Sequence, residues 1–163
     1  MELPASKPAT VNKLFYTTIK LSFTNLAAAS VIAGSFRCTF QPNIRGIFIH
    51  EIFANSNLTA PASGIFVPHQ TSLFFSDQDS YNIPISSVFD ITNQTVVALD
   101  AGIEYRRIEM SFQGGQDVVR PFEKPIYFGN GIGIALSLNG NAAWALNTNY
   151  ICPITFAYEL ARL

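Results

Sequence analysis

Charge is what this sequence has least of. Asp, Glu, Lys and Arg make up 13% of its 163 residues, with ten basic and eleven acidic side chains and a net charge of −1, where soluble domains usually carry ~25% charged residues. That balance excludes a basic nucleic-acid binder and an acidic, solvating chain. Cysteine is almost absent: Cys38 and Cys152 stand far apart and form no Cys-x-x-Cys pair, which excludes a zinc ribbon, a thioredoxin-like motif and a disulfide-dense miniprotein. Whether the two are neighbours in the fold is left open by spacing alone. Uninterrupted apolar runs are missing as well. Ile126 to Tyr158 holds no Asp, Glu, Lys or Arg, but Asn130, Asn139, Asn141, Asn147, Asn149 and several glycines break it up, so no membrane span is expected. Met1-Glu2-Leu3-Pro4 lacks the basic and apolar regions of a secretory signal, which predicts no Sec export. No fixed-period repeat and no Pro/Gly/Ser linker divides the chain.

What is present is apolar and β-patterned. Hydrophobic residues reach 48%, and a chain of this length buries roughly 68–70% of its unfolded surface. Ile19, Leu21 and Phe23 alternate with Lys20 and Ser22, as do Phe36, Cys38 and Phe40 with Arg37 and Thr39, and Ile132, Ile134, Leu136 and Leu138 with small residues. The clearest period-two run is the last, with Tyr150, Cys152, Ile154, Phe156, Tyr158 and Leu160 on one face. Between Tyr105 and Ile108 the apolar parity slips, which places a β-bulge at Arg106-Arg107. Ile44 to Phe53 is apolar on both parities, as in a strand covered on both sides, central or at an interface. Pro153 suggests an edge or a bulge, because proline donates no ladder hydrogen bond.

Turn-rich segments separate these runs: 55–64, 76–84, 92–93, 100–102, 113–117 and 139–149. The one helical rival is Leu26 to Ala33, with its Ala27-Ala28-Ala29 run. About eight strands without a helical stripe predict an all-β fold, an antiparallel eight-stranded β-sandwich or jelly roll. Residues 1–13 carry Pro4, Pro8, Lys7 and Lys13 without periodicity and read as an extended N-terminal arm, followed by a single domain over 14–163.

The candidates for chemistry are few. His50 and Glu51 are adjacent in a strand, so they point to opposite faces and share no site. His69 lacks the paired His or Cys spacing of a zinc site, and an enzyme would need it to converge with Asp77 or Asp79. The segment Asp77 to Asn82 has the alternating oxygen donors of a calcium loop but not the glycine and terminal glutamate of an EF-hand; a solvated turn is the default. Cys38 and Cys152 fall on apolar parity and read as core thiols. No Gly-x-Ser-x-Gly elbow exists, and Gly129 to Gly133 leads into a strand where a phosphate loop would lead into a helix. Arg106, Arg107, Arg120 and Lys124 suggest surface pairs with Glu104, Glu109 and Glu123. Trp144, in a polar loop, either folds back over a sheet end or anchors a partner. Asn57 and Asn93 match the glycosylation pattern, which means little without a secretory route. No catalytic, cofactor-binding or metal residue is assigned.

Three charge-free stretches, Leu21 to Phe36, Phe53 to Ser76 and Ile126 to Tyr158, describe an uncharged polar surface suited to permanent neighbours. The chain resembles small bacteriophage virion proteins with a single jelly roll. The resemblance is carried by Pro125-Ile126-Tyr127-Phe128-Gly129-Asn130-Gly131-Ile132, by the terminal Ile154-Thr155-Phe156-Ala157-Tyr158-Glu159-Leu160, and by Arg45-Gly46-Ile47-Phe48-Ile49 followed by Asn55-Ser56-Asn57. It implies a noncatalytic capsid component in the virion, assembled in the host cytoplasm as a homo-oligomer (trimer, pentamer or hexamer) with other virion proteins. The alternative is a carbohydrate- or receptor-binding β-sandwich that uses Trp144 and the Asn/Asp loops to hold a glycan.

Overall fold

The computed structural model describes residues 13–26, 31–39, 45–60, 64–76, 89–91, 106–129, 131–140 and 148–161. Their eleven strands are β1 (Phe15–Leu26), β2 (Val31–Thr39), β3 (Ile47–Ala54), β4 (Asn57–Ala60), β5 (Ile65–Phe66), β6 (His69–Ser76), β7 (Phe89–Ile91), β8 (Arg106–Gln113), β9 (Val118–Phe128), β10 (Gly131–Gly140) and β11 (Thr148–Leu160). The eight longer strands pair in a nested series: β1 with β11, β2 with β10, β3 with β9, and β6 with β8, all antiparallel. A long hairpin rolled upon itself gives this nesting, and it defines the jelly roll. Lateral pairing of β11 with β3 and of β10 with β6 completes two sheets, β1-β11-β3-β9 and β2-β10-β6-β8. The all-β sandwich expected from periodicity is therefore the fold. The short strands extend it: β4 continues the line of β3 along β11, β5 pairs with β4, and β7 adds a parallel pair on β1.

The alternating residues are the core. Ile19, Leu21, Ile132, Leu136, Leu138, Cys152, Ile154 and Phe156 are completely buried between the sheets. Phe75 of one sheet meets Phe156 of the other edge-on, with ring centroids 5.8 Å apart. Burying a Leu, Ile or Phe side chain of this kind stabilises the fold by roughly 1.5–3 kcal/mol.

Two irregularities explain the broken parities. In β3 the ladder to β11 steps from Ile49 to Glu51, leaving His50 as the extra residue, so Ile47 and Ile49 on one side of the step and Ile52 and Ala54 on the other all face inward. The strand is central, between β11 and β9, and its double apolar parity comes from this bulge together with the half-buried Phe48 and Phe53 on the outer face. In β8 the pairing with β6 steps from Ile108 to Arg106, which puts the expected bulge at Arg107.

Three expectations are corrected. Pro153 lies in β11, the middle strand of its sheet, and not at an edge. It is tolerated because its carbonyl accepts from Asn55 N at 3.3 Å, so its nitrogen faces the same side, where β3 has ended and β4 has not begun. Leu26 ends β1 and Val31 begins β2, so the helical alternative for Leu26 to Ala33 gives way to strand at both ends. The segment 55–64 is not turn throughout: Asn57–Ala60 is a strand with Leu58 fully buried, closed by Gly64 at φ 65°. The arm residues 1–12, the loop Asp77 to Asn82, Trp144 and Asn93 lie outside the described residues.

Candidate functional site

The break between β3 and β4 is where three crossings meet. Chain leaving β5 for β6 and chain leaving β8 for β9 both pass Asn55-Ser56. There Gly115 N donates to Ser56 O at 2.7 Å, Gly114 N to His69 O at 2.8 Å and Val67 N to Leu58 O at 2.8 Å. Gly115 adopts φ 80°, a conformation suited to glycine in this tight turn.

Inside this junction lies a chain of polar side chains sealed from solvent. His69 Nδ1 bonds Val67 O at 2.7 Å; a carbonyl only accepts, so Nδ1 carries the proton and Nε2 of the neutral ring is the acceptor. Ser56 Oγ, 2.9 Å from Nε2, therefore donates to it. Thr71 Oγ1 donates to Ser56 Oγ at 3.0 Å, and, its proton spent, accepts from Tyr150 OH at 3.0 Å. All donors run one way, from Tyr150 through Thr71 and Ser56 to His69. Ser56, Thr71 and Tyr150 are completely buried and His69 is 1% exposed. Desolvation holds the His69 pKa below its ordinary value, against the opposing effect of the Val67 bond. Burial also pushes Tyr150 well up, with the neighbouring Cys152 thiol adding to it, and pushes Cys152 up to about 12. The thiol is a free, buried core residue, as its parity implied; Cys38 pairs in the other sheet, opposite Ile132.

A serine hydrogen-bonded to a neutral histidine is the arrangement of an activated nucleophile. Here both side chains are closed off from solvent, and the bonds they make tie the crossings together. Asp77 and Asp79, with which an enzyme would need His69 to converge, lie outside the described residues, and no cluster of three His, Cys, Asp or Glu side chains forms among the described ones. The network escaped the sequence reading, although His69 and Thr71 share the parity of Leu73 and Phe75, which marks them as polar residues on a core face. His50 is on the outside, with Nε2 3.0 Å from Glu159 Oε2. Arg107 and Arg120 bond the main-chain carbonyls of Tyr127 and Glu109.

The two outer faces differ. That of β6 and β8 presents Gln70, Ser72, Glu109, Ser111 and Gln113 together with the half-buried Phe74, with Ser72 and Ser111 hydroxyls 2.9 Å apart. The face of β9, β3, β11 and β1 carries a row that crosses all four strands: Val119, Phe53, Thr155 and Thr18. Tyr16 is 63% exposed, Val119 49% and Ile151 40%. A groove of about 410 Å³ runs between Phe53, Val119, Pro153 and Thr155. At its end Asn55 Nδ2 donates to Asp117 Oδ1.

Fold and site together define a jelly-roll β-sandwich with a sealed polar junction and an outer face that carries an apolar groove. No protein-family model and no curated protein matches the chain. Among solved structures it is similar to the decameric BFDV capsid protein, at 12% identity over 92% of this chain and 99% of that one, TM-score 0.37. It is similar to the Desmodium yellow mottle tymovirus, at 12% identity over 100% and 89%, TM-score 0.32. A third similar structure is that of Bacillus endospore appendages, a family of disulfide-linked pili, at 12% identity over 92% and 91%, TM-score 0.35. At this level the likenesses carry no role or assembly over to this chain. No helix among the described residues is long and apolar enough to cross a membrane.

Proposed function

We propose that this chain is a noncatalytic virion structural protein, a capsid component of the bacteriophage kind that its sequence resembles. It self-assembles as a trimer, pentamer or hexamer through the outer face of β9-β3-β11-β1, alongside other virion proteins, after synthesis in the host cytoplasm. Residues 1–13 serve as an arm that grips a neighbour. The observation that carries this reading is the outer face of β9-β3-β11-β1, which holds an apolar groove with Val119 on its wall and leaves Tyr16, Val119 and Ile151 in solvent. Apolar, aromatic-bearing patches of this kind suit the core of an interface. The sealed Ser56–His69 pair supports the noncatalytic part.

Light scattering over a concentration series tests it, on the native chain and on the double variant Val119→Lys, Ile151→Lys. A discrete oligomer that the variant loses, with its unfolding transition intact, is the expected result. A native chain that stays monomeric overturns self-assembly. It would favour the second reading, a carbohydrate- or receptor-binding module, for which the groove with Asn55 and Asp117 at its end is the specific support; a glycan panel then decides.

A further inference from the structure

We propose that the His69 junction is an acid-operated latch: protonation of His69 uncouples the β8–β9 turn and the β4–β5 hairpin from the sandwich. This goes beyond the assembly reading and does not depend on it; only its consequence for the outer face does.

The donor chain explains why the ring refuses a second proton. A protonated Nε2 must donate to Ser56 Oγ, which already accepts from Thr71. The Ser56 hydrogen then loses its acceptor in a place closed to water, and an unpaired buried donor is costly. The other ring nitrogen offers no relief, because it already donates to Val67 O. Nor do the surroundings supply a counter-charge. Among the described residues packed around the ring, β11 brings only Tyr150 and Cys152, both neutral, and the β8–β9 turn brings Asp117, exposed and bonded to Asn55. The strands β4, β5 and β10 bring no titratable side chain, and β6 brings only His69 itself.

What the ring holds defines what its protonation frees. Phe66 lies against it at 5.5 Å between centroids and Tyr150 meets it edge-on at 5.9 Å. Gly114 passes so close that a Cβ there would fall within the imidazole. The same strand break that Ser56 occupies also supplies Asn55, which carries the groove's polar end and bonds Pro153. Opening the junction therefore frees Ile65 and Phe66, already 64% and 41% exposed, and deforms one wall of the outer-face groove. The open form binds the proton at an ordinary histidine pKa and the closed form only at a lower one, so the opening equilibrium rises by up to about tenfold per pH unit between those two values.

Hydrogen exchange on the full chain between about pH 7.5 and about pH 5, with rates corrected for intrinsic exchange, reads the latch at the amides of Val67, Gly114 and Gly115. These amides are expected to lose protection in acid while Leu136 and Phe156 keep theirs. His69→Gln abolishes the acid response; His50→Gln leaves it unchanged. Retention of the acid response in His69→Gln overturns the latch. If that variant does not fold, proton NMR of the native protein decides. With two histidines in the chain, the His69 resonance must titrate below the ordinary histidine range and together with the junction amides. Titration at or above that range, or with the amides unmoved, overturns the proposal. Oligomer mass, followed separately, reports on the assembly reading, so the two can fail independently.

Discussion

Arg107 and Arg120 bridge the edges of the two sheets in opposite directions: Arg107 of β8 donates to the carbonyl of Tyr127 in β9, and Arg120 of β9 donates to the carbonyl of Glu109 in β8. The two strands share no ladder, so each guanidinium occupies a main-chain acceptor at the other's edge. Arg107 also lies over the Phe128 ring at 4.9 Å, a cation–π contact that ties its stem to the core rim. Unpaired edges invite pairing with other chains, and Pro121, Pro125 and the charges of β9 act against this in the same way.

The double variant Arg107→Ala, Arg120→Ala is accordingly expected to fold, with a stability change of about 1 kcal/mol or less, since both arginines are exposed. Its signature is irregular, concentration-dependent association, distinct from a discrete oligomer. Sedimentation velocity against the native chain checks this; identical profiles would remove the edge-blocking role.

Gly114→Ala is expected to destabilise the domain by about 1–3 kcal/mol, the usual range for overpacking a filled site. The added methyl collides with the His69 imidazole, a ring fixed by hydrogen bonds at both nitrogens. Gly64→Ala is the useful contrast, because nothing lies within 4 Å of its Cβ and only the positive φ opposes it. Urea unfolding of the two variants measures the difference.

Phe156→Ala removes a fully buried ring from the middle strand and is expected to cost about 3–5 kcal/mol. A double-mutant cycle with Phe75→Ala should recover a coupling of about 0.5–1.5 kcal/mol from the edge-on pair. Additive losses would mean the rings act only by volume.

Stability should be greatest in a bounded pH window. The folded-state pKa of His69 is lowered from 6.5, so the unfolded chain takes up the proton first. Its contribution is complete above 6.5 and declines as pH falls towards the lowered value. Cys152 behaves in the opposite sense: its pKa rises from 9.0 to about 12, so its contribution is complete below 9.0 and declines as pH rises towards 12. Tyr150, raised from 10.0, adds to the alkaline loss. Thermal unfolding across pH should show a plateau between these limits; His69→Gln should flatten its acid side and Cys152→Ala its alkaline side.

The legible part of this protein was its alternation. Ile132 to Leu138 and Tyr150 to Tyr158 announce strands with one buried face, because side chains change sides at every residue and burial then imprints a period of two. The slip at Arg106-Arg107 was readable for the same reason, since an extra residue inverts parity on one side of itself. The bulge at His50 was not, because Phe48 and Phe53 on the outer face filled the opposite parity and hid the inversion. Likewise β4, with Leu58 as its one fully buried side chain, was too short to show a period.

Composition and periodicity determined by themselves that the chain is an all-β sandwich with few charges and a large apolar core, since both properties are local and additive along the sequence. Only the tertiary structure decided which strands pair, and with it everything at the junction. Ser56, His69, Gly114 and Tyr150 are far apart in sequence and become one polar network because three crossings converge on a single strand break. The same convergence explains Pro153 in a central strand, where the break on one side removes the need for its missing donor. Nested pairing joins residues as far apart as Phe15 and Tyr158, and no local pattern specifies it. Closing both hydrophobic sheet faces against each other does.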